Sequence, residues 1–321
     1  MDWEGRIGRR LRPRDLHIFM AVAEDGNMGK AAERLAISRP VVSKTIANLE
    51  RTLGVPLFDR GPQGVEPTFY GRALLKRSVV IFDELRQSVK DIEFLSDPTA
   101  GELRVGSNET ITSGLVSAVI DRLSRQHPQL VFYLEVGTVP TLQFHFLRER
   151  KCEVVIGRPW AAAPEPNMDM EPLFHERLFV VAGPRNRWAG RRKIELADLV
   201  DQPWILSQIE TEPGSPVAEA FRAIGSSIPR ATIVCSSINL RNRLLATGRF
   251  LTSVPSSVLH FAPQRTLYKV LPIELPCWNL PVSIMTLKSR TLSPMAQLFI
   301  DCVRELAKPL AKSRSASDVP F

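Results

Sequence analysis

Residues 36–54, AISRPVVSKTIANLERTLG, decide how the first part of the chain folds. Ala36-Ile37 turns the chain. Ser38 stands where a helix N-cap belongs, and Pro40 lies in the first turn, where a missing N–H costs no intrahelical bond. The helix then runs through Leu53 and stops at Gly54. On its N-terminal side, Leu16, Phe19, Met20 and Ala23 recur at spacings of three and four, one face of a helix that Asp25-Gly26-Asn27 ends. Met28–Leu35 is a short second helix with Ala31, Ala32 and Leu35 inward. On its C-terminal side, Pro56–Pro67 carries two Gly and three Pro between short apolar patches. That pattern is a hairpin with its tip at Gly61-Pro62-Gln63-Gly64.

Three short helices, a tight turn before the third and a Pro/Gly hairpin are the parts of a winged helix-turn-helix over 12–68. Such a motif places the N-terminal residues of its third helix against base edges in the major groove. Here those residues are Ser38, Arg39, Pro40, Val42, Ser43 and Lys44. Arg39 suits a bidentate bond to guanine, and Pro40 and Val42 suit a thymine methyl. Lys30, Arg34 and Lys44 suit phosphates, Arg60 on the hairpin suits the flanking backbone, and Thr68 completes the set of expected DNA contacts. The alternative for the same helices is a purely structural domain.

Charge agrees with a polyanionic partner. The 321 residues hold 42 Lys+Arg against 34 Asp+Glu, a net charge of +8, and the first 80 hold 14 basic against 9 acidic. The first quarter thus carries most of the excess, which favours double-stranded DNA as a partner. Hydrophobic residues at 44% and charged residues at 24% exclude a wholly disordered chain.

Thr68 also starts a long helix to about Ser96. In it Leu74, Ile81, Ser88 and Leu95 are seven apart, and Ser78, Leu85 and Ile92 interleave with them. That is a heptad seam with serines at two positions, expected to pair two or four copies of the chain. Asp97-Pro98-Thr99-Ala100-Gly101 follows as a linker. Beyond it, short apolar strands alternate with helices: 102–106, 110–126, 131–136, 141–150 and 153–156 form a βαβαβ pattern with parallel strands. Further strands are expected at 177–182, 204–206, 232–236, 250–253, 268–271 and 282–287. Helices are expected at 216–224, 240–246 and 294–308.

Residues 16–71 resemble the N-terminal domain of LysR-type transcriptional regulators. Leu16–Phe19, Ala21–Asn27 and Ala31–Leu35 match the family's first two helices. Ser38–Ile46 with Leu49-Glu50 and Leu53-Gly54 match its recognition helix, and Leu57–Arg60 with Thr68–Gly71 match its wing and linker start. Gly101–Gly106, His127-Pro128, Val154–Gly157 and Leu292–Pro294 sit where the family would place them, so the resemblance covers nearly the whole chain. Gly29 and Arg39 depart from it, since members commonly carry serine and glutamine there. The run Arg39–Lys44 also resembles a subgroup that regulates sugar or aromatic-acid catabolism.

The resemblance implies an all-α-type winged helix-turn-helix domain (12–68), a linker and dimerisation helix (69–97) and a two-subdomain α/β effector domain (98–321) like periplasmic binding proteins. Subdomain I is expected at about 102–175 and 282–308, subdomain II at about 176–281. RNA polymerase is a further implied partner. Open α/β sheets bind ligands beyond the carboxyl ends of their strands. That rule selects Ser107, Asn108 and Thr110 after the first strand, Thr138 after the second, Arg158 after the third, and Ser207 and Ser236 in the second subdomain. Helix N-termini and Arg158 favour a small carboxylate or sugar acid, whereas Glu109 competes for the same positive end.

No HExxH, P-loop, GxSxG or complete GxGxxG occurs, and the five histidines are scattered. Cys152, Cys235, Cys277 and Cys302 form no CxxC pair, so neither a disulfide framework nor a zinc site is expected, and no cofactor. With no apolar run of about 20 residues and no signal peptide, a cytoplasmic protein is expected. An α/β enzyme with an appended helical domain and a non-specific DNA-coating protein remain the alternatives.

Overall fold

The computed structural model describes residues 10–62, 64–159, 165–261 and 267–312. Its contacts divide the chain into two compact units, Met1–Ser88 and Val89–Phe321.

The first unit opens with α1 (Pro13–Asp25), α2 (Met28–Arg34) and α3 (Arg39–Leu53). Pro13 occupies the first helical position of α1, and Gly26 closes it with φ 59°. Asn27 then caps α2, its Oδ1 accepting from Gly29 N at 2.7 Å and Lys30 N at 3.2 Å. The turn into α3 passes through Ala36 at φ 53°, and Ser38 holds the N-cap position without a side-chain cap bond. β1 (Phe58–Gly61) and β2 (Gly64–Pro67) form the antiparallel wing; of its expected tip, Gln63 lies outside the described residues. Glu50 on α3 fixes the wing's base, accepting from Leu57 N at 2.8 Å and Phe58 N at 3.3 Å. Phe19, Val22, Ala31, Val42, Ile46, Leu49 and Leu57 make the core. α1 buries Leu16, Ile18, Phe19, Ala21 and Val22, a broader face than its spacing suggests, because it packs on α2, α3 and β2 together.

α4 (Phe69–Ser96) is 28 residues long. Thr68 caps it as expected: its Oγ1 accepts from Gly71 N at 3.0 Å and donates to Pro56 O at 2.7 Å. Gly71 is required here, because a Cβ at that position would run into the Leu57 carbonyl. The heptad seam is partly corrected. Ser78 is fully buried within the first unit, whereas Ile81, Leu85, Ser88, Ile92 and Leu95 are exposed, rising from 40% at Ile81 to 81% at Leu95.

In the second unit β3 (Ala100–Ser107) leads into a helix of three parts: α5 (Glu109–Ile111), a π turn (Thr112–Val116) and α6 (Ser117–Gln126). Since β3 begins at Ala100, the linker shortens to 97–99. β4 (Gln129–Val136) is followed by α7 (Val139–Thr141), which continues in a second π turn (Leu142–Leu147), and then by β5 (Val154–Gly157). β3 pairs in parallel with both β4 and β5. β6 (Met168–Phe174) was not visible in the sequence pattern. The first five-stranded sheet has the order β4-β3-β5-β12-β6, with β12 (Val282–Leu287) antiparallel to β5 and β6.

After β6 the chain crosses into a second sheet of β7 (Leu178–Ala182), β8 (Trp204–Leu206), β9 (Ala231–Val234), β10 (Leu251–Pro255) and β11 (Lys269–Glu274), ordered β11-β7-β10-β8-β9. α8 (Pro216–Ala223), α9 (Ile238–Leu245) and α10 (Ser256–Phe261) belong to this part; α10 was not expected. The chain returns through 275–281 to β12 and ends its described part with α11 (Pro294–Lys312). Each sheet has its own core, one around Val105, Leu115 and Phe299, the other around Trp204, Phe221 and Leu251.

Candidate nucleic-acid interface and effector cleft

The start of α3 projects a basic, partly apolar face. Ser38, Arg39, Pro40 and Lys44 are exposed and Ser43 is half-buried, as the sequence pattern requires of base-reading residues. Among the described residues, Lys30, Arg39, Lys44 and Arg60 have no carboxylate within ion-pair distance, and all four are exposed. Three expected contacts are corrected. Val42 is fully buried in the three-helix core, and its neighbour Val41, 40% exposed, takes the outward place beside Pro40. The spacing of Val42, Ile46 and Leu49 is the core face of α3 and was the signal that distinguishes the two valines. Thr68 is buried and its hydroxyl is spent on capping α4. Arg34 is held to α1, with Nη1 2.8 Å from Glu24 and Nε 3.1 Å from Asp25, and its hydrogen bond to Glu24 raises its pKa.

In the second unit the carboxyl ends of β3, β4 and β5 lie side by side. Ser107 aligns with Val136 and Ile156, which brings Asn108, Thr110, Thr138 and Arg158 to one edge. Ser107 itself is corrected: it is 1% exposed, and its hydroxyl donates to Ile156 O at 3.0 Å, tying strands rather than facing solvent. Asn108 caps α5, accepting from Ile111 N and donating to Thr110 Oγ1 at 3.3 Å. Thr138 caps α7 and stays exposed.

Ser207 and Ser236 follow the adjacent parallel strands β8 and β9 of the other sheet. Ser236 is exposed. Ser207 donates through N and Oγ to Glu210 Oε2, both at 2.6 Å. Glu210 is buried with Arg241, whose Nη2 lies 2.8 Å away, and with the Ser253 hydroxyl. Burial pushes the Glu210 carboxyl up, but Arg241 and the hydroxyls of Ser207 and Ser253 outweigh it and hold the pKa below the ordinary value.

The two sheets' edges meet. Glu109, at the start of α5, accepts from Ile238 N at 3.3 Å, at the start of α9. The π turn packs on α10 so closely that a Cβ on Gly114 would stand 2.9 Å from the Ser257 carbonyl. π turns inside helices are frequent at functional sites. The sequence left the Glu109 bridge open, because it joins residues 129 positions apart.

Arg158 is the most unusual group of the cleft. Its guanidinium lies 3.8 Å from the centroid of the Trp278 ring, and Nε and Nη1 are cut off from solvent without an acceptor among the described residues. Burial lowers its pKa to about 10, against the pull of Glu176 and Glu210, so it remains a cation at neutral pH. Trp278 went unremarked in the sequence, since nothing local signals that it returns beneath Arg158. No group of three or more His, Cys, Asp or Glu that could hold a metal occurs among the described residues. Nor is any described helix long and apolar enough to cross a membrane.

A winged helix with an exposed basic third helix, followed by a two-sheet α/β domain with a cleft of helix starts, defines a ligand-responsive DNA-binding regulator. Residues 13–72 match the bacterial regulatory helix-turn-helix model of the lysR family, and 96–308 match the LysR substrate binding domain. The chain belongs to the LysR family of DNA-binding transcriptional regulators, whose substrate-binding domain senses effectors. It is 31% identical to the HTH-type transcriptional regulator TfdS of Cupriavidus pinatubonensis, over 91% of this chain and 97% of that one. It is 29% identical to the HTH-type transcriptional regulator GbpR of Azospirillum brasilense, over 97% and 90%. A full-length OxyR variant from Pseudomonas aeruginosa has the same fold, with a TM-score of 0.63, 24% identity, and coverage of 95% of this chain and 99% of that one.

Proposed function

We propose that this regulator acts in the cytoplasm, as a dimer or dimer of dimers and not as an enzyme, and that its effector is a small carboxylate such as a sugar acid or aromatic acid. α3 reads base edges with Ser38, Arg39, Pro40, Val41 and Ser43, while Lys30, Lys44 and Arg60 engage phosphates. The exposed stripe of α4 pairs two copies and sets the spacing of their recognition helices, about 34 Å or a multiple of it. The effector sits among Asn108, Thr110, Thr138, Ser236 and Arg158.

Arg158 carries the reading of the ligand. Unsatisfied buried donors are rare in native proteins and cost about 1–3 kcal/mol each, more when charged. A carboxylate oxygen satisfies them and neutralises the cation. Glu109, bridged to the start of α9, is the group such an anion must displace or tolerate.

The full-length protein, incubated with genomic DNA fragments at two salt concentrations and followed by sequencing of the retained pieces, tests the DNA reading. A shared dyad-symmetric site surviving the higher salt supports it. Retention that vanishes with salt reduces the basic face to phosphate attraction alone. For the effector, a panel of sugar acids and aromatic acids should include members that raise the melting temperature of the wild type. Arg158→Met should lose that gain. Equal gains in both proteins would remove Arg158 from the site.

A further inference from the structure

The two segments that cross between the sheets form an extended pair whose faces differ. Trp278 N donates to Glu176 O at 3.4 Å, and His175 Nδ1 lies 3.2 Å from Trp278 O. In extended chain, successive side chains point to opposite sides. Glu176 and Trp278 take one side: the Glu176 carboxylate accepts from Ser256 Oγ at 3.2 Å and Ser257 N at 3.0 Å, and Trp278 lies under Arg158. His175, Arg177 and Cys277 take the other. There they line a cavity of about 390 Å³, closed by Leu173, Phe174 and the last turn of α11 at Leu310.

Three features of this cavity point to a ligand. Its volume falls within the range of small-molecule sites, roughly 300–1,000 Å³. Its charge is one-sided, for Arg177 and His175 line it and no carboxylate does among the described residues. Arg177 Nη1 is cut off from solvent with no hydrogen-bond partner, although the same guanidinium lies 5.8 Å from the Phe179 ring. A buried arginine N–H without an acceptor is an unfilled position. The remaining lining of Leu173, Phe174 and Leu310 offers apolar surface to the body of the same molecule.

We propose that this hinge cavity is a second ligand site, separate from the effector cleft, for a small carboxylic acid with an apolar body. Its carboxylate accepts from Arg177, and its body rests on Leu173, Phe174 and Leu310. Because both crossing segments line the cavity, an occupant touches the only described chain links between the two sheets. It therefore acts on their mutual rotation without entering the cleft.

Cys277 is exposed and lines the cavity, so its alkylation reports occupancy; half-buried Cys235, beside the cleft, is the internal reference. The full-length protein is treated with iodoacetamide in the presence of cyclohexanecarboxylate, and each cysteine's rate is read by peptide mass spectrometry. The expected result is selective protection of Cys277, about tenfold at ten times the dissociation constant, since labelling follows the unoccupied fraction. Cyclohexanecarboxamide, the neutral isostere, should give no protection. Arg177→Met should lose protection while melting at the wild-type temperature, and Arg177→Lys should retain part of it. A Cys277 rate unchanged up to about 10 mM, ten times the constant of a millimolar ligand, overturns the site. Protection at Cys235 alone assigns the acid to the cleft and also overturns it. Protection that persists in Arg177→Met removes the carboxylate contact on which the proposal stands. None of these readouts uses DNA or the cleft effector, so the effector reading stands or falls separately.

Discussion

Val41 and Val42 are the same residue one position apart, and a helix's 100° step gives them different work. Val42 contacts the core between α1 and α2, while Val41 faces outward beside Pro40. Val42→Ala should therefore destabilise the first unit by about 1.6 kcal/mol or more, two buried methyl groups at roughly 0.8 each, as read by urea unfolding. Arg39→Ala should leave stability unchanged and lose about 1–3 kcal/mol of discrimination at one base pair, measured by competition among single-base variants of the recovered site. Unchanged preference in that assay would take Arg39 off the bases. The buried Glu210 makes a different kind of prediction. A carboxyl with a lowered pKa stabilises the folded state above its unfolded pKa, and that stability is lost as pH falls through the folded value. Glu210→Gln leaves Arg241 buried and unpaired, so it should cost about 3–5 kcal/mol at pH 7. In strong acid the wild type is protonated as well, and the difference between the two melting temperatures should close. A gap that persists below the carboxylate range would mean the pair is not what Gln disturbs.

α4 shows how an element can be read correctly and still be divided. Its capping by Thr68 and its length were legible, because Thr68, the apolar periodicity and the absence of Pro or Gly after Gly71 all act locally. Its seam was legible only in part. Ser78 turns into the first unit's interior, and the uncovered stripe starts at Ile81. A charge on that stripe faces its own copy across a two-fold, so Leu85→Glu with Ile92→Glu should give a monomer in analytical ultracentrifugation with the helical content intact. A dimer of unchanged affinity would place the interface elsewhere. The strands divide similarly. β7 and β12 read as apolar runs, but β6 hides behind Asp169, Glu171 and Pro172. A strand at the sheet's edge tolerates all three, since one side of its backbone has no ladder to complete. The cleft was legible as a set of strand ends, and Asn108, Thr138 and Arg158 do stand at one edge. What the sequence withheld were the pairings between distant segments: Glu109 with Ile238, Arg158 with Trp278, Glu210 with Arg241. Those depend on how two sheets meet, and no periodicity encodes that.

At the scale of the whole molecule, the boundary between the units falls at Ser88 and Val89, inside α4 and not at the Asp97-Pro98-Thr99 break after it. The last turns of α4 belong to the second unit by their contacts: Phe94 packs on the first sheet's core, and Lys90 pairs with the buried Glu153, whose other oxygen accepts from Ser293 N at 3.0 Å. Two separate cores connected by one continuous helix need not unfold together, and multi-unit proteins commonly depart from two-state behaviour. Calorimetry of the full-length protein should resolve two transitions. Gly71→Val, which forces a side chain against the Leu57 carbonyl, should lower only the transition of the winged-helix unit. Glu210→Gln should lower only the other. Lys90→Met leaves the buried Glu153 without its cation and should also act on the second transition, even though residue 90 lies in the helix shared by both units. If instead each substitution moves both transitions by the same amount, α4 transmits stability between the units, and a ligand that stabilises the effector domain would then stabilise the DNA-binding unit through that helix alone.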